Sequence, residues 1–265
     1  MPKPSVTDLL NMKQEGKKIV CLTAYDASFA AQAVENGVDI LLVGDSLGMV
    51  VQGKESTVPV TLDEMIYHTA AVRRGSAQTM VIADMPFMSF SDVQQTLHNA
   101  GRLMKEGGAH MVKLEGAHPQ ILDSVRALSS YGIPVCGHLG LLPQSVYKLG
   151  GYKVQGREED EGKLILKQAL ELQAAGADLL VLECLPARLA ERISSALTIP
   201  TIGIGAGVDT DGQVLVLYDM LGVTLGKRPK FSKNFMQGRD SIGAAIAAYV
   251  AEVRSSQFPA PEHGF

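Results

Sequence analysis

The 265-residue chain contains no apolar stretch that approaches the roughly 20 residues of a spanning helix, so a transmembrane protein is not expected. Its first segment, MPKPSVTDLLNMKQEGKK, lacks an apolar core bounded by a cleavage site and does not read as a secretory signal. It reads as a short amphipathic helix opened by Ser5 or Thr7. Cysteine is scarce: Cys21, Cys136 and Cys184 are far apart, and no CxxC or Cys/His pair has zinc-ligand spacing. Each lies in an apolar run, which makes buried inert thiols and a reducing cytoplasm the expectation. Positive charge is not in excess, with 24 Lys+Arg against 28 Asp+Glu and a formal net charge of −4. That balance argues against nucleic acid or an anionic membrane as the main partner. No linker, low-complexity tract or composition shift marks a second domain, and one domain over 1–265 is expected.

What the chain does have is alternation. Short apolar, β-branched runs recur, separated by longer segments of helical period. The runs are KIVCLTA (18–24), DILLVGD (39–45), TMVIADM (79–85), HMVKLEG (110–116), IPVCGHLG (133–140), DLLVLEC (178–184), IPTIGIGAG (199–207) and a weaker MLGVTLG (220–226). Amphipathic segments such as ASFAAQAVENGV, PQILDSVRALSSYG and GKLILKQALELQAAGA lie between them, and several end in Gly, as expected after a helix C-cap. Strands in this order pair in parallel, and strands apolar nearly throughout fit a sheet covered by helices. Eight such units favour a closed (β/α)8 TIM barrel over an open doubly wound sheet.

In a barrel, the C-terminal strand ends carry the chemistry. Here strand two ends in Asp45, strand three in Asp84, strand four in Lys113 and Glu115, strand five in His138 and strand six in Glu183. An isolated acid after a strand often caps the next helix, but ionisable groups on five successive strands point to one site. Alternation places Met111, Lys113 and Glu115 on one face, Val181 with Glu183, and Cys184 on the other side. Asp45, Asp84 and Glu115 are hard oxygen donors suited to Mg2+. The structural alternative is a salt-bridge cluster of these acids with Lys113, Arg73 and Arg74. His138 reads equally as a satisfied core histidine. Glu183 follows a run apolar enough to favour a general base, or else it caps the helix beginning near Pro186. The cluster IGIGAGVDTDG contains no strict G-x-G-x-x-G unit opening a nucleotide fold, and a tight turn is as good a reading as a phosphate cradle. GGYKVQGR (150–157) and PKFSKNF (229–235) are basic loops with aromatics that could guard the mouth or meet an anionic ligand.

The segments LLVGDSLGMVVQG, HTAAVRRG, ADMPFMSF, MVKLEG, VCGHLGLLPQSV, GGYKVQGR, VLECLP, IGIGAG and PKFSKNF, in this order, resemble the ketopantoate hydroxymethyltransferase family over nearly the whole chain. The resemblance implies a barrel of the phosphoenolpyruvate/pyruvate superfamily and a step towards pantothenate. In that family a hydroxymethyl group passes from 5,10-methylenetetrahydrofolate to 3-methyl-2-oxobutanoate, giving 2-dehydropantoate. Carried over by motif, Asp45 and Asp84 would bind Mg2+, with Glu115 in or behind the shell. Ser46 and Lys113 would contact the 2-oxo acid, His138 would line the pocket, and Glu183 would accept the proton. The family also implies a homo-oligomer, often a decamer. Against an isocitrate-lyase-like cleavage enzyme, which tends to carry a reactive Cys in a mobile loop, every Cys here lies in a strand-like run. A non-catalytic barrel would be expected to have lost strand-end ionisable groups, and none is lost.

Overall fold

The computed structural model of the protein describes residues 5–265; residues 1–4 of the expected 1–265 domain lie outside them. Seven strands fall inside the expected runs: β1 (Ile19–Thr23), β2 (Ile40–Val43), β3 (Met80–Asp84), β4 (Met111–Glu115), β5 (Val135–Gly140), β6 (Leu179–Glu183) and β7 (Thr201–Ile204). With β8 (Gly212–Leu215) they close a parallel barrel in sequence order, in which β1 pairs with both β2 and β8. The helices are α1 (Val6–Gln14), α2 (Ala27–Glu35), the single turn α3 (Leu47–Val50), α4 (Leu62–Gly75), α5 (Val93–Arg102), α6 (Pro119–Ser130) and the single turn α7 (Val146–Leu149). After these come α8 (Glu159–Ala175), α9 (Ala187–Ala196), α10 (Leu217–Leu221) and α11 (Ile242–Arg254). Among the described residues no helix is long and apolar enough to cross a membrane.

Side-chain alternation divides the apolar residues into two bodies. Val112, Leu114, Leu180 and Leu182 pack outward in the layer shared with the helices. Cys21, Ile40, Leu42, Met80, Ile82, Met111, Cys136, Val181, Ile202 and Val214 fill the barrel interior, closed below by Leu9 of α1. This is the expected parity, and it follows from the period of two in an extended chain. Ser5 opens α1 with a capping box to Asp8. Several helices end as expected at glycine. Gly176 after α8 has φ +103, and a Cβ there would meet the Ser129 side chain at 2.5 Å.

At the N-terminal end of the barrel one device recurs in every second strand pair. The residue just before β2, β4, β6 and β8 accepts a backbone N–H from the preceding strand. Val20 N donates to Asp39 at 2.9 Å, Val81 N to His110 at 3.0 Å, Val135 N to Asp178 at 2.9 Å and Thr201 N to Asp211 at 2.8 Å. Each amide belongs to the first or second residue of its strand, where a side-chain acceptor satisfies it. The four clasps fix strand register at the end of the barrel opposite the site.

The last strand corrects the sequence expectation. MLGVTLG (220–226) forms no strand: its first residues complete α10, which stops at Gly222 with φ +72. β8 is instead Gly212–Leu215, at the end of the glycine cluster, and it follows β7 with no helix between them. The reason is close packing. A Cβ on Gly212 would lie 2.3 Å from the Ile19 carbonyl, so glycine allows β8 to pair with β1 at this point. Gly205 (φ +62) and Gly207 (φ +79) turn the chain between the two strands. The cluster therefore acts as a tight turn and a close backbone approach.

Candidate active site

The same parity that fills the interior with apolar groups lower down delivers ionisable ones to its upper layer. Ile82 is followed by Asp84, Met111 by Lys113 and Glu115, Cys136 by His138, and Val181 by Glu183. Strand register aligns Asp84 with Lys113 and Glu115 with His138. The result is one contiguous buried cluster. Lys113 Nζ lies 2.9 Å from Asp84 Oδ1 and 3.3 Å from His138 Nδ1. His138 Nδ1 is 3.5 Å from Glu115, and its Nε2 is 3.2 Å from Glu183 Oε2. Asp84 Oδ2 accepts the backbone N–H of Asp45 at 3.1 Å, which ties β3 to the turn after β2. Ser46 Oγ is 2.9 Å from the Tyr25 hydroxyl.

Two alternatives raised by the sequence fall away on geometry. Arg73 donates to the Ser76 carbonyl at the end of α4. No ion pair joins Arg73 or Arg74 to the strand-end acids among the described residues. Glu183 does not cap α9: the N-cap residue is Pro186, and no first-turn N–H of the helix donates to a Glu183 oxygen among the described residues. It faces His138, with 14% of its side chain exposed where Lys113 keeps 4%.

Two glycines make this approach possible. A Cβ on Gly44 would meet Ser46 Oγ at 2.8 Å, and one on Gly140 (φ +97) would lie 2.1 Å from the Glu183 carbonyl. Cys184, immediately after Glu183, holds a left-handed φ of +47, a conformation disfavoured for a residue with a Cβ. It is held there by its N–H to Ile204 O and by Gln155 N–H to its own carbonyl. The three cysteines are buried and form no disulfide. Burial pushes the Cys136 thiol up to about 12, in line with inert thiols.

Charge in the cluster is unbalanced. Asp45, Asp84, Glu115 and Glu183 face one lysine and one histidine. Burial raises the Asp45 pKa well above the carboxylate range, and the charges of Asp84 and Glu115 raise it further. Burial opposes the Lys113 charge, but Asp84, Glu115 and Asp45 more than offset this and hold the ammonium above its usual range. For His138, burial and the Lys113 charge act downward. The close carboxylates of Glu115 and Glu183 outweigh them and raise its pKa.

A further cation would relieve this imbalance. Apart from its ion pair with Lys113, buried Asp84 Oδ1 accepts no aligned hydrogen bond. Asp45 and Asp84 thus present hard oxygens suited to Mg2+, which usually binds one or two carboxylates and completes its shell with water and substrate oxygens. Among the described residues no three His, Cys, Asp or Glu side chains converge as a ready cage, so substrate oxygens would have to contribute. Glu115 is engaged otherwise: its Oε2 accepts the Gln144 backbone N–H at 3.1 Å. The donor set is compatible with such an ion, with Asp45 and Asp84 as the carboxylates that would hold it and Glu115 behind.

Sequence reasoning missed two members of the site. Gln144 is buried; its Nε2 donates to Asp45 Oδ2 at 2.8 Å and to the Met85 carbonyl at 3.0 Å. Tyr25 is buried against Ser46. Both are uncharged and follow their strands, so a search for strand-end ionisable groups passes over them; the run GLLPQS was the one signal for Gln144. Replacing Gln144 with Ala should leave the fold intact but free the Asp45 carboxylate. Steady-state kinetics at varied Mg2+ should show about a 10–100-fold loss of activity or metal affinity, and an unchanged profile would remove Gln144 from a positioning role. The basic loop GGYKVQGR reaches the mouth: Tyr152 donates to Met49 Sδ at 3.2 Å. The Tyr152 phenol is raised by burial and by the charges of Glu183 and Asp45.

A profile of the family described as ketopantoate hydroxymethyltransferase matches residues 3–261. The 3-methyl-2-oxobutanoate hydroxymethyltransferase of Shewanella frigidimarina is 58% identical over 265 residues, covering 100% of both chains. That of Halorhodospira halophila is 57% identical, covering 98% of this chain and 94% of the other. Among solved structures, phosphoenolpyruvate phosphomutase from Streptomyces platensis subsp. rosaceus aligns with a TM-score of 0.63 at 13% identity over 83% of each chain. The 2,3-dimethylmalate lyase of the PEP mutase/isocitrate lyase superfamily aligns at 0.59 and 16% identity over 82% of each. These two share the (β/α)8 fold with this chain.

Proposed function

The chain belongs to the ketopantoate hydroxymethyltransferase family and is an enzyme of the hydroxymethyltransferase class, and from that premise we propose that it adds the one-carbon unit of 5,10-methylenetetrahydrofolate to 3-methyl-2-oxobutanoate through an enolate, giving 2-dehydropantoate for pantothenate. The observation that carries this reading is the single buried cluster formed by ionisable groups from five consecutive strand ends, β2 to β6. Such a cluster suits proton removal beside a carbonyl, where negative charge develops on an oxygen.

Asp45 and Asp84 would hold Mg2+, whose charge, when bound, would polarise the keto oxygen of the 2-oxo acid. Lys113 places its ammonium beside Asp84 and adds fixed positive charge where the enolate oxygen forms. Ser46, oriented by Tyr25, offers a hydroxyl to the substrate carboxylate. Glu183 takes the C3 proton. His138 is a positioning residue for Glu183. Its Nδ1 lies between Lys113, which can only donate, and Glu115, which accepts when the ring is cationic. The enolate carbon then attacks the methylene carbon of the folate as one of its two C–N bonds opens, and water displaces the remaining nitrogen, supplying the hydroxyl and releasing tetrahydrofolate.

The first test is exchange without the folate. Incubated with 3-methyl-2-oxobutanoate in D2O, the enzyme should exchange the C3 proton, read by NMR, and should do so only with Mg2+ present. Absence of exchange with both metal and tetrahydrofolate supplied would refute the enolate route. Exchange of comparable rate after metal removal would refute the metal's part in it.

A further inference from the structure

The chain that follows β8 builds a second feature that the reaction above does not use. Residues 222–234, with Glu262 and His263, enclose a cleft of about 520 Å3, a size ordinary for a small-ligand site. Its wall carries Lys227, Arg228 and Lys230 against one carboxylate, Glu262, and adds the hydroxyl-bearing Thr224 and Ser232. The cations of this chain are elsewhere often matched by nearby acids, as in Lys163–Glu159 at 2.8 Å, Arg126–Asp123 at 2.7 Å and Lys233–Glu252 at 2.6 Å. Lys227 and Arg228 form no ion pair or hydrogen bond with any described residue. In a chain with a net charge of −4, a concave wall that carries three cations and one carboxylate is a local concentration of positive charge, of which Arg228 also feels the charge of Asp219.

The cleft adjoins the barrel mouth. Phe231, between Lys230 and Ser232, packs on the interior cluster and lies against Gly205 just beyond β7, where a Cβ would be 3.0 Å from its ring. Tyr218 of α10 sits 5.8 Å from the Tyr25 ring, and Tyr25 holds Ser46. In the closed barrel β8 stands across from β4, so the chain that builds the cleft leaves the barrel on the side opposite Lys113 and Glu115. His263 on its wall is pressed below the usual histidine range by burial first. Lys233 and Arg228 act in the same direction and Glu262 against it.

We propose that this cleft is an oxyanion site that receives the γ-linked glutamate carboxylates of the folate donor. The assignment rests on the folate reading given above. It joins two facts of chemistry: the donor carries carboxylates far from its reacting carbon, and this wall gathers Lys227, Arg228 and Lys230 on one concave surface beside the barrel. Lys227 and Arg228 supply the charge, and the Thr224 and Ser232 hydroxyls add hydrogen-bonding capacity. Free phosphate would use the same groups.

The test compares donors bearing one and three glutamates on the full-length enzyme, in wild type and in Lys227→Ala/Arg228→Ala. The wild type should show a lower KM for the triglutamyl donor. The double variant should raise that KM roughly 10-fold and lose the tail-length preference, leaving the KM for the 2-oxo acid and the folate-free C3 exchange unchanged. Equal KM values for both donors in both proteins would overturn the assignment. Inorganic phosphate bound by the wild type and lost by the variant, without any tail-length preference, would assign the cleft to phosphate and also overturn it. Failure of every folate donor while C3 exchange persists would remove the folate reading itself, and this assignment with it.

Discussion

Glu183→Gln should bind 3-methyl-2-oxobutanoate but fail to exchange its C3 proton, with turnover reduced by about 10²–10⁴-fold, the usual contribution of a positioned general base. The substitution keeps the shape and an oxygen within reach of His138 Nε2, which in the native chain is 3.2 Å from Glu183 Oε2. What it removes is the ability to accept a proton. Substrate affinity should therefore change little while kcat falls, the pattern expected when a group acts in the transition state and contributes little to ground-state binding. Glu183 is the most exposed of the clustered carboxylates, at 14% of its side chain, so it can meet a substrate entering from the mouth. Measurement of C3 exchange by NMR together with substrate titration separates binding from chemistry. Exchange at the native rate would exclude Glu183 as the base and direct attention to Glu115 and His138.

Asp84→Asn should damage both stability and activity. Asp84 Oδ1 is 2.9 Å from Lys113 Nζ, and both side chains are at least 95% buried. Removing one partner of a buried ion pair leaves the other charge uncompensated, an effect of about 3 kcal/mol, read as a lower midpoint in denaturant. Asp45 and Glu115 also stabilise the Lys113 charge, so the loss should fall at the lower end of the range for buried pairs. Activity should fall by more, about 10³-fold. The variant would lose a metal-binding carboxylate and keep one oxygen where Lys113 Nζ and Asp45 N–H each now have their own. Adding Lys113→Met should recover much of the stability and none of the activity. Were the double variant as unstable as the single, the cluster's charge pairing would not be what holds these strands together. Full activity in Asp84→Asn would remove Asp84 from the metal-binding pair.

The contrast between the two ends of the barrel shows what could be read locally. Lys113 and Glu115 were placed inward from the chain alone because an extended strand alternates strictly, and their neighbours Val112 and Leu114 are indeed packed against helices. The same rule placed Glu183 inward and Cys184 away from it. Gln144 and Tyr25 escaped because an uncharged side chain in a loop follows no periodicity, and what makes each part of the site is a partner distant in sequence. Gln144 reaches Asp45 from 99 positions away.

Strand β8 was misplaced for a related reason. GQVL is only four residues long, contains a glycine and a glutamine, and follows β7 without the helix that marks the other units. Its identity as a strand comes from β1, whose Ile19 carbonyl leaves room only for Gly212. The basic loop PKFSKNF was expected to guard the mouth or meet an anionic ligand, but only the folded chain brings Lys227 and Arg228, just before it, to a cleft with Glu262 and His263.

From the sequence by itself came the alternating architecture, the inward faces of its strands, the strand-end ionisable groups and, through long motifs, the family. These are properties of residue type and short-range period, which the backbone geometry of a strand or helix converts directly into direction. The tertiary structure decided the closing strand, the pairing of Asp84 with Lys113 and of His138 with Glu183, the placing of Gln144 behind Asp45, and the basic cleft. Each of those depends on distances between segments far apart in the chain, and only the closed barrel sets such distances.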